Sequence, residues 1–305
     1  MKTPILLLVY IKPQTTKKVI AVLRKIKAEK IYISINIPKK NEKKNIFNNH
    51  KVKKIIKSID WKCKLIKKER KIHLDSYSSY SSAIKWFFNN EKEGIILEDD
   101  TLPSLDFFDF CTKLLKKYRN NKKIAQICGS SFLNENFTGP NYKFSNYSFC
   151  WGYATWRRSI KDFDGTLKAW KGIKNKNKLK KILNNKSFIT YWTSIFDALS
   201  LQKIKAWDYT WMLSNWNKGK ISIIPKKNLI QNIGFVKGAT HTKVKYKDWY
   251  TEIKPQKMIS KNEHPVIIKP DLKYDKWVSN KVYKTNKFYI KSIIKKYLKY
   301  DFKNN

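Results

Sequence analysis

Glu98, Asp99 and Asp100 follow directly on the apolar run Gly94 to Leu97 and are closed off by Thr101-Leu102-Pro103. The run suits a strand buried on both faces, and the carboxyl end of such a strand is where open α/β sheets hold ligands. Three adjacent carboxylates repel one another, so the arrangement is most tolerable with a cation among them. Hard carboxylate oxygens favour Mg²⁺ or Mn²⁺, metals that commonly arrive with a phosphorylated substrate. The chemistry implied is a nucleotide diphosphate held through a metal. The alternative is a solvated acidic turn capping the next helix, a task Asp100 or Ser104 could perform.

The elements that must position this turn are written in two alternating periods. Apolar runs at 5–11, 31–37, 63–66, 94–98 and 124–128 predict strands, and helix-period apolar positions fill 15–28, 46–59, 78–90 and 105–118. Strand and helix alternating at this spacing predict a doubly wound, mostly parallel sheet flanked by helices. From about 131 the chain turns to Asn, Gly and aromatic residues without a clean period. Its densest part, 149–158, predicts a bend opening a short helix, and the lysine-rich 171–181 predicts a solvated helix or loop. Phe188 to Leu201 and Ala206 to Trp216 predict helices, and short strands are expected near 220–224 and 228–231. Gly234 to Thr242 has two glycines flanking Lys237, a composition suited to a loop.

The chain is 305 residues long with 42% hydrophobic residues, enough for one extended α/β domain or two smaller ones. Its formal charge of +43 suggests an anionic partner. Specific nucleic-acid readout is not expected, because 61 lysines stand against five arginines and the lysines spread through nearly every segment. Cys63, Cys111, Cys128 and Cys150 have no metal-ligand spacing and suit buried thiols in a reducing compartment. The apolar run at 4–11 lacks a cleavage site and reads as a first strand, and no uncharged run is long enough to span a membrane. Phe288, Ile290, Ile293, Ile294, Tyr297 and Leu298 fall at helical spacing among lysines. Such a helix either packs on its own domain or lies on an anionic membrane surface.

The ordered motifs IKWFF, GIILEDDTLPSLDFF, WGYATWRR, AWDYTW and IGFVKGATHT together resemble a family of bacterial glycosyltransferases. These are the hemolytic-protein-like nucleotide-diphospho-sugar transferases, distantly similar to the N-acetylglucosaminyltransferase that initiates complex N-glycans. The resemblance spans roughly residues 3 to 243. It implies a GT-A fold, with a nucleotide-sugar half at 1–130, an aromatic-rich acceptor half at 131–245 and a basic extension at 246–305. It also implies a Mn²⁺ or Mg²⁺ cofactor held by Asp100 with Asp99 and His241. Glu98, Asp99, Lys12, Asn36, His73, Asp75 and Lys237 would contact the donor. Trp151, Gly152, Trp156 and Trp207 would line the sugar pocket, and Asp208 would be the base that takes the acceptor's proton. As a bland alternative, Asp208 is a first-turn residue stabilised by its helix dipole. Arg157 and Arg158 would be phosphate contacts, or else packing residues.

The sequence departs from the family where nucleotide contacts are expected: Ala-Asp-Gly-Pro is replaced by Ile35-Asn36-Ile37-Pro38, Asn-Leu-Gly by His73-Leu74-Asp75, and Asn-Arg-Pro by Ile11-Lys12-Pro13. The resemblance therefore implies a metal-dependent, inverting transfer from a nucleotide-diphosphate donor, best a UDP-sugar, to a surface-glycan or lipid-linked acceptor. The expected location is the cytoplasm, at the inner face of the plasma membrane. Two rivals share the nucleotide-sugar theme: a sugar-phosphate nucleotidyltransferase, which would normally carry a glycine-rich loop after the first strand, and a catalytically inactive binding protein.

Overall fold

The alternation at the N-terminus is realised as β1 (Ile5–Val9), α1 (Pro13–Lys25), β2 (Lys30–Ile35), α2 (Lys43–Lys57), β3 (Lys64–Glu69), α3 (Ser76–Asn90) and β4 (Glu93–Glu98). A computed structural model describes residues 1–133, 139–175, 178–235, 252–258 and 263–292. β5 (Thr101–Pro103), α4 (Leu105–Lys117), β6 (Ile124–Cys128), β7 (Tyr142–Ser145) and β8 (Tyr153–Trp156) follow. The short α5 (Arg157–Ile160), α6 (Ala169–Asn175) and α7 (Lys178–Leu183) lead to α8 (Lys186–Ser200) and α9 (Trp207–Asn217). The described chain continues with β9 (Ile221–Pro225), β10 (Ile230–Asn232) and α10 (Leu272–Lys281).

Local chemistry explains the boundaries nearest the acids. α1 begins with Pro13, whose missing N–H costs nothing in a first turn, and ends on Arg24 and Lys25, which suit the negative end of the dipole. Ser104 caps α4 through the Phe107 N–H, so helix capping falls to Ser104 and the acids before it are left for another task. Asp99 and Asp100 are buried, which excludes the solvated acidic turn.

The main sheet runs β3-β2-β1-β4-β8-β6-β9-β7, and β5 pairs with β10 in a separate two-stranded ribbon. β3, β2, β1, β4, β6 and β9 share one direction, and β8 and β7 oppose them. The mostly parallel α/β expectation is met, with one correction. The 149–158 segment, expected as a bend opening a short helix, instead first forms β8, which enters antiparallel between β4 and β6. β8 was missed because Tyr153 to Trp156 are all buried, so no alternation marks them as a strand.

Alternate residues of the central strands feed two layers. Leu7, Ile95 and Leu97 pack with α1, α2 and α4, while Leu6, Ile96 and Tyr153 pack with α3 and α9. A third cluster, with Trp170, Trp192, Phe196, Trp216 and Tyr274, joins α6, α8, α9 and α10. It also corrects the solvated reading of 171–181, since Ile173 and Leu179 are core residues there. Residues 285–292 are helical, and Phe288 packs edge-on against Tyr191 of α8, so this end of the basic amphipathic segment contacts its own domain. Residues 293–305 lie outside the described residues. No described helix is long and apolar enough to cross a membrane.

Candidate active site

Parallel pairing of β1 with β4 sets Leu8 opposite Glu98 and carries both strands to the same edge. The Asp99 N–H extends this ladder to Leu8 O (2.9 Å), and the Tyr10 N–H returns a bond to Asp99 Oδ2 (3.0 Å). Thr101 locks the turn, accepting from the Glu98 N–H (2.9 Å) and donating to Glu98 O (3.0 Å). Lys12, at the start of α1, brings its ammonium to 2.5 Å from Asp100 Oδ2. Across the turn, Ile233 donates to Asp100 O (2.8 Å).

The electrostatics follow from this crowding. Burial, then the charges of Asp100 and Asp99, push Glu98 up to about 8, with Lys12 pulling the other way. Burial and Asp100 push Asp99 up to about 7, against the Tyr10 N–H and Lys12. Burial also opposes the charge of Lys12, yet Asp100, Asp99 and Glu98 outweigh it and raise its pKa. The triplet is thus an under-neutralised anionic site. A carboxyl whose folded pKa is raised contributes stability at pH below the ordinary carboxylate range and loses it as pH rises through its folded value. Without divalent cations, stability should therefore fall between about pH 4 and the 7–8 region set by Asp99 and Glu98. Glu98→Gln is expected to raise stability at pH 8 by about 2 kcal/mol, roughly 4–8 °C in Tm, with no gain at pH 4. Thermal melts at the two pH values check this.

Asp208 enters from the other side, in the first turn of α9. Burial raises its pKa, held back by the N–H groups of Tyr209 and Asp208 itself. Its charge reaches Glu98, Cys150, Tyr191 and Tyr283, which sets the isolated acid within electrostatic range of the triplet. Tyr80 and Tyr153 are raised by burial first and also feel Glu98. The sequence reading passed over these two tyrosines and Cys150. Their signal was adjacency: Tyr80 lies four positions before Ile84 of the IKWFF segment, and Cys150 and Tyr153 flank Trp151-Gly152.

Gly152 and Gly234 allow close approach. Gly152 has φ +62°, and its carbonyl accepts from Gly129 N–H at the level of Leu97. A Cβ on Gly234 would stand 2.1 Å from Asp100 Oδ2. Gly234→Ala must therefore displace that carboxylate or the segment bearing it, and turnover should fall roughly 10²-fold, the scale of an ångström misplacement. Steady-state kinetics alongside a thermal melt would separate this from unfolding.

Other expected contacts fare differently. Trp151 lies beside Gly152, with its ring 5.6 Å from Phe235 and 5.3 Å from Phe132. Trp156 is a correction. It pairs with Glu93, five residues back along β4 from Glu98, or about 17 Å at strand rise. Its indole donates to Leu115 O. An antiparallel strand carries a contiguous motif away from the site at its first end, and Arg157 and Arg158 go with it. They donate to the carbonyls of Glu91, Asn89, Arg119, Ile124 and Tyr118, a packing role in place of phosphate contact. Trp207 is stacked with Phe163 (5.3 Å) and Trp211 (5.6 Å), which makes it a wall of the site more than an open stacking face.

At the neighbouring strand ends, the Asn36 amide exchanges both its bonds with Leu74, and Asp75 caps α3 through Ser78. Both side chains are committed to the backbone here. His73 Nδ1 lies 2.8 Å from Ile37 O. Beside them, a groove of about 670 Å³ between α2 and the ends of β2 and β3 is lined by apolar Ile37, Pro38 and Ile46 and by Lys40, Arg70 and Lys71, along with the Lys53–Glu69 ion pair, Asn49 and His50. Lys237 and His241 lie outside the described residues.

Among the described residues, no three His, Cys, Asp or Glu side chains form a metal cage. The donor set nevertheless fits a hard cation held by one or two carboxylates and completed by water and substrate phosphate, the usual manner of Mg²⁺. Burial first, and then mutual charge, push Glu98 and Asp99 upward, and a cation among them would oppose the charge part of that push.

No protein-family model matches the sequence, and no curated protein matches it. Solved structures with partial similarity include 4-diphosphocytidyl-2C-methyl-D-erythritol synthase from Anaerococcus prevotii, at 7% identity and TM-score 0.37, covering 72% of this chain and 87% of that one. A mannosyltransferase from Pyrobaculum calidifontis, solved with GDP-Man and Mn²⁺, shows 8% identity and TM-score 0.37 over 72% of this chain and 70% of its own. Mouse xyloside xylosyltransferase 1 shows 11% identity and TM-score 0.30 over 69% and 80%. Each similarity is too low to assign a family, so the mixed α/β fold stands on the chain's own topology.

Proposed function

We propose that the protein is a metal-dependent, inverting glycosyltransferase that moves a sugar from a nucleotide-diphosphate donor, of the UDP-sugar class, to a surface-glycan or lipid-linked acceptor. The observation that supports this reading is the desolvated Glu98-Asp99-Asp100 turn at the strand edge with Asp208, a buried acid from a separate helix, within electrostatic range of Glu98. Asp100 with Asp99 would hold Mn²⁺ or Mg²⁺, which when bound supplies Lewis acidity to the departing diphosphate. Asp208 receives the acceptor hydroxyl's proton on its carboxylate as that oxygen attacks the anomeric carbon; its raised pKa suits a general base. Glu98 accepts or donates hydrogen bonds to the donor sugar, and the stacked Trp207 keeps water from the Asp208 side. The groove past β2 and β3 offers the nucleoside half both apolar and cationic side chains. The missing glycine after β1, where Lys12-Pro13-Gln14-Thr15-Thr16 opens α1, argues against nucleotidyl transfer.

Binding is tested by a thermal-shift panel of UDP, GDP, CDP and dTDP, each with and without Mn²⁺. Stabilisation by one nucleotide only when the metal is present supports the reading. Equal stabilisation in chelator contradicts it.

A further inference from the structure

Lys12 holds the oxygen that a metal would need. Its Nζ lies 2.5 Å from Asp100 Oδ2, and among the described residues it is the one cation ion-paired with any member of the acidic triplet. The backbone beneath it is fixed. Lys12 O accepts from Thr16 N–H (2.9 Å), Thr16 Oγ1 (2.7 Å) and Thr15 Oγ1 (3.1 Å), so any movement is confined to the flexible side chain. Gly234 stands against Asp100 Oδ2 with no room for even a methyl group, which closes that side of the carboxylate. The side chain of Lys12 keeps 27% exposure, against 13% for Asp100, so the ammonium reaches the acid from the open side by which a ligand would enter.

We infer that Lys12 is a built-in counter-ion, serving the Asp100 carboxylate when no divalent cation is bound and passing to the donor's diphosphate when metal and nucleotide arrive together. An ammonium and a divalent ion cannot share one carboxylate oxygen without strong mutual repulsion, whereas a diphosphate brings the negative charge that Lys12 then needs. Metal alone must therefore compete with Lys12, nucleotide alone must meet three carboxylates, and each ligand removes the other's obstacle. The two are coupled by construction, reciprocally. This inference rests on the metal-dependent transfer proposed above.

The test is Mn²⁺ binding followed by electron paramagnetic resonance, with and without UDP, on wild type, Lys12→Met, Lys12→Arg and Asp100→Asn. Lys12→Met is expected to bind Mn²⁺ alone roughly tenfold more tightly than wild type, and to lose roughly tenfold of the enhancement that UDP gives. Lys12→Arg, which keeps the charge, should behave as wild type toward Mn²⁺ alone. Unchanged or weaker binding of Mn²⁺ alone by a folded Lys12→Met overturns the counter-ion role while leaving the transfer reading intact. Wild-type binding by Asp100→Asn in the presence of UDP instead removes the metal site on which both depend.

Discussion

Asp208→Asn is expected to lower transfer about 10²–10⁴-fold, the contribution of a positioned general base, while metal-dependent nucleotide binding survives. The amide is nearly isosteric and cannot take a proton, so loss of rate with retained binding isolates proton acceptance from architecture. Because burial raises the Asp208 pKa, the wild-type rate should climb with pH through a value above the ordinary carboxylate range. The residual rate of Asp208→Asn should lose that limb. Equal loss of nucleotide binding would instead assign Asp208 to holding the first turn of α9.

Asp100→Ala should remove two things together. Transfer is expected to fall roughly 10³-fold, the scale of the several kcal/mol that a metal supplies to a departing oxyanion. The stabilisation by nucleotide with Mn²⁺, about 2.7 kcal/mol at a hundredfold excess over Kd and roughly 5 °C in Tm for wild type, should vanish. The ligand-free variant should be no less stable than wild type at pH 8, since its loss relieves both Glu98 and Asp99. A structural acid would show the opposite pattern: a less stable apoprotein with unchanged ligand response.

The first four strands and helices were legible in order, most sharply where the period was clean: the core of β4 is an apolar run ending at Glu98, and α4 carries its buried face at helical spacing, whereas lysines blurred the ends of α2 and β3. Asp208 was singled out through the family resemblance, and the structure sets it in the first turn of α9 between Trp207 and Trp211. Strands β7 and β8 were not: β8 is buried throughout with no alternation to mark it, and β7, though Tyr142-Lys143-Phe144-Ser145 alternates, is only four residues long in a stretch without a sustained period. Treating Trp151 to Arg158 as one wall failed for a related reason. Strand direction is a tertiary property, and the antiparallel course of β8 carries Trp156 to the far end of the sheet. Asn36 and Asp75 show another limit. Short polar residues at strand ends and helix starts serve the backbone as readily as a ligand, and here they bond Leu74 and Ser78. Gly234 was noted only as loop composition, whereas its lack of a Cβ is what admits the Asp100 carboxylate.

The bond broken in the donor decides the central claim. Phosphorus NMR of wild-type protein with Mn²⁺, a panel of nucleotide sugars and a glycan or lipid-linked acceptor reads that bond directly. Release of intact nucleoside diphosphate, abolished by chelator and restored by Mn²⁺, is the expected result, since glycosyl transfer cleaves the bond between the anomeric carbon and oxygen. Appearance of nucleoside triphosphate and sugar 1-phosphate on adding pyrophosphate would contradict it and make the protein a nucleotidyltransferase.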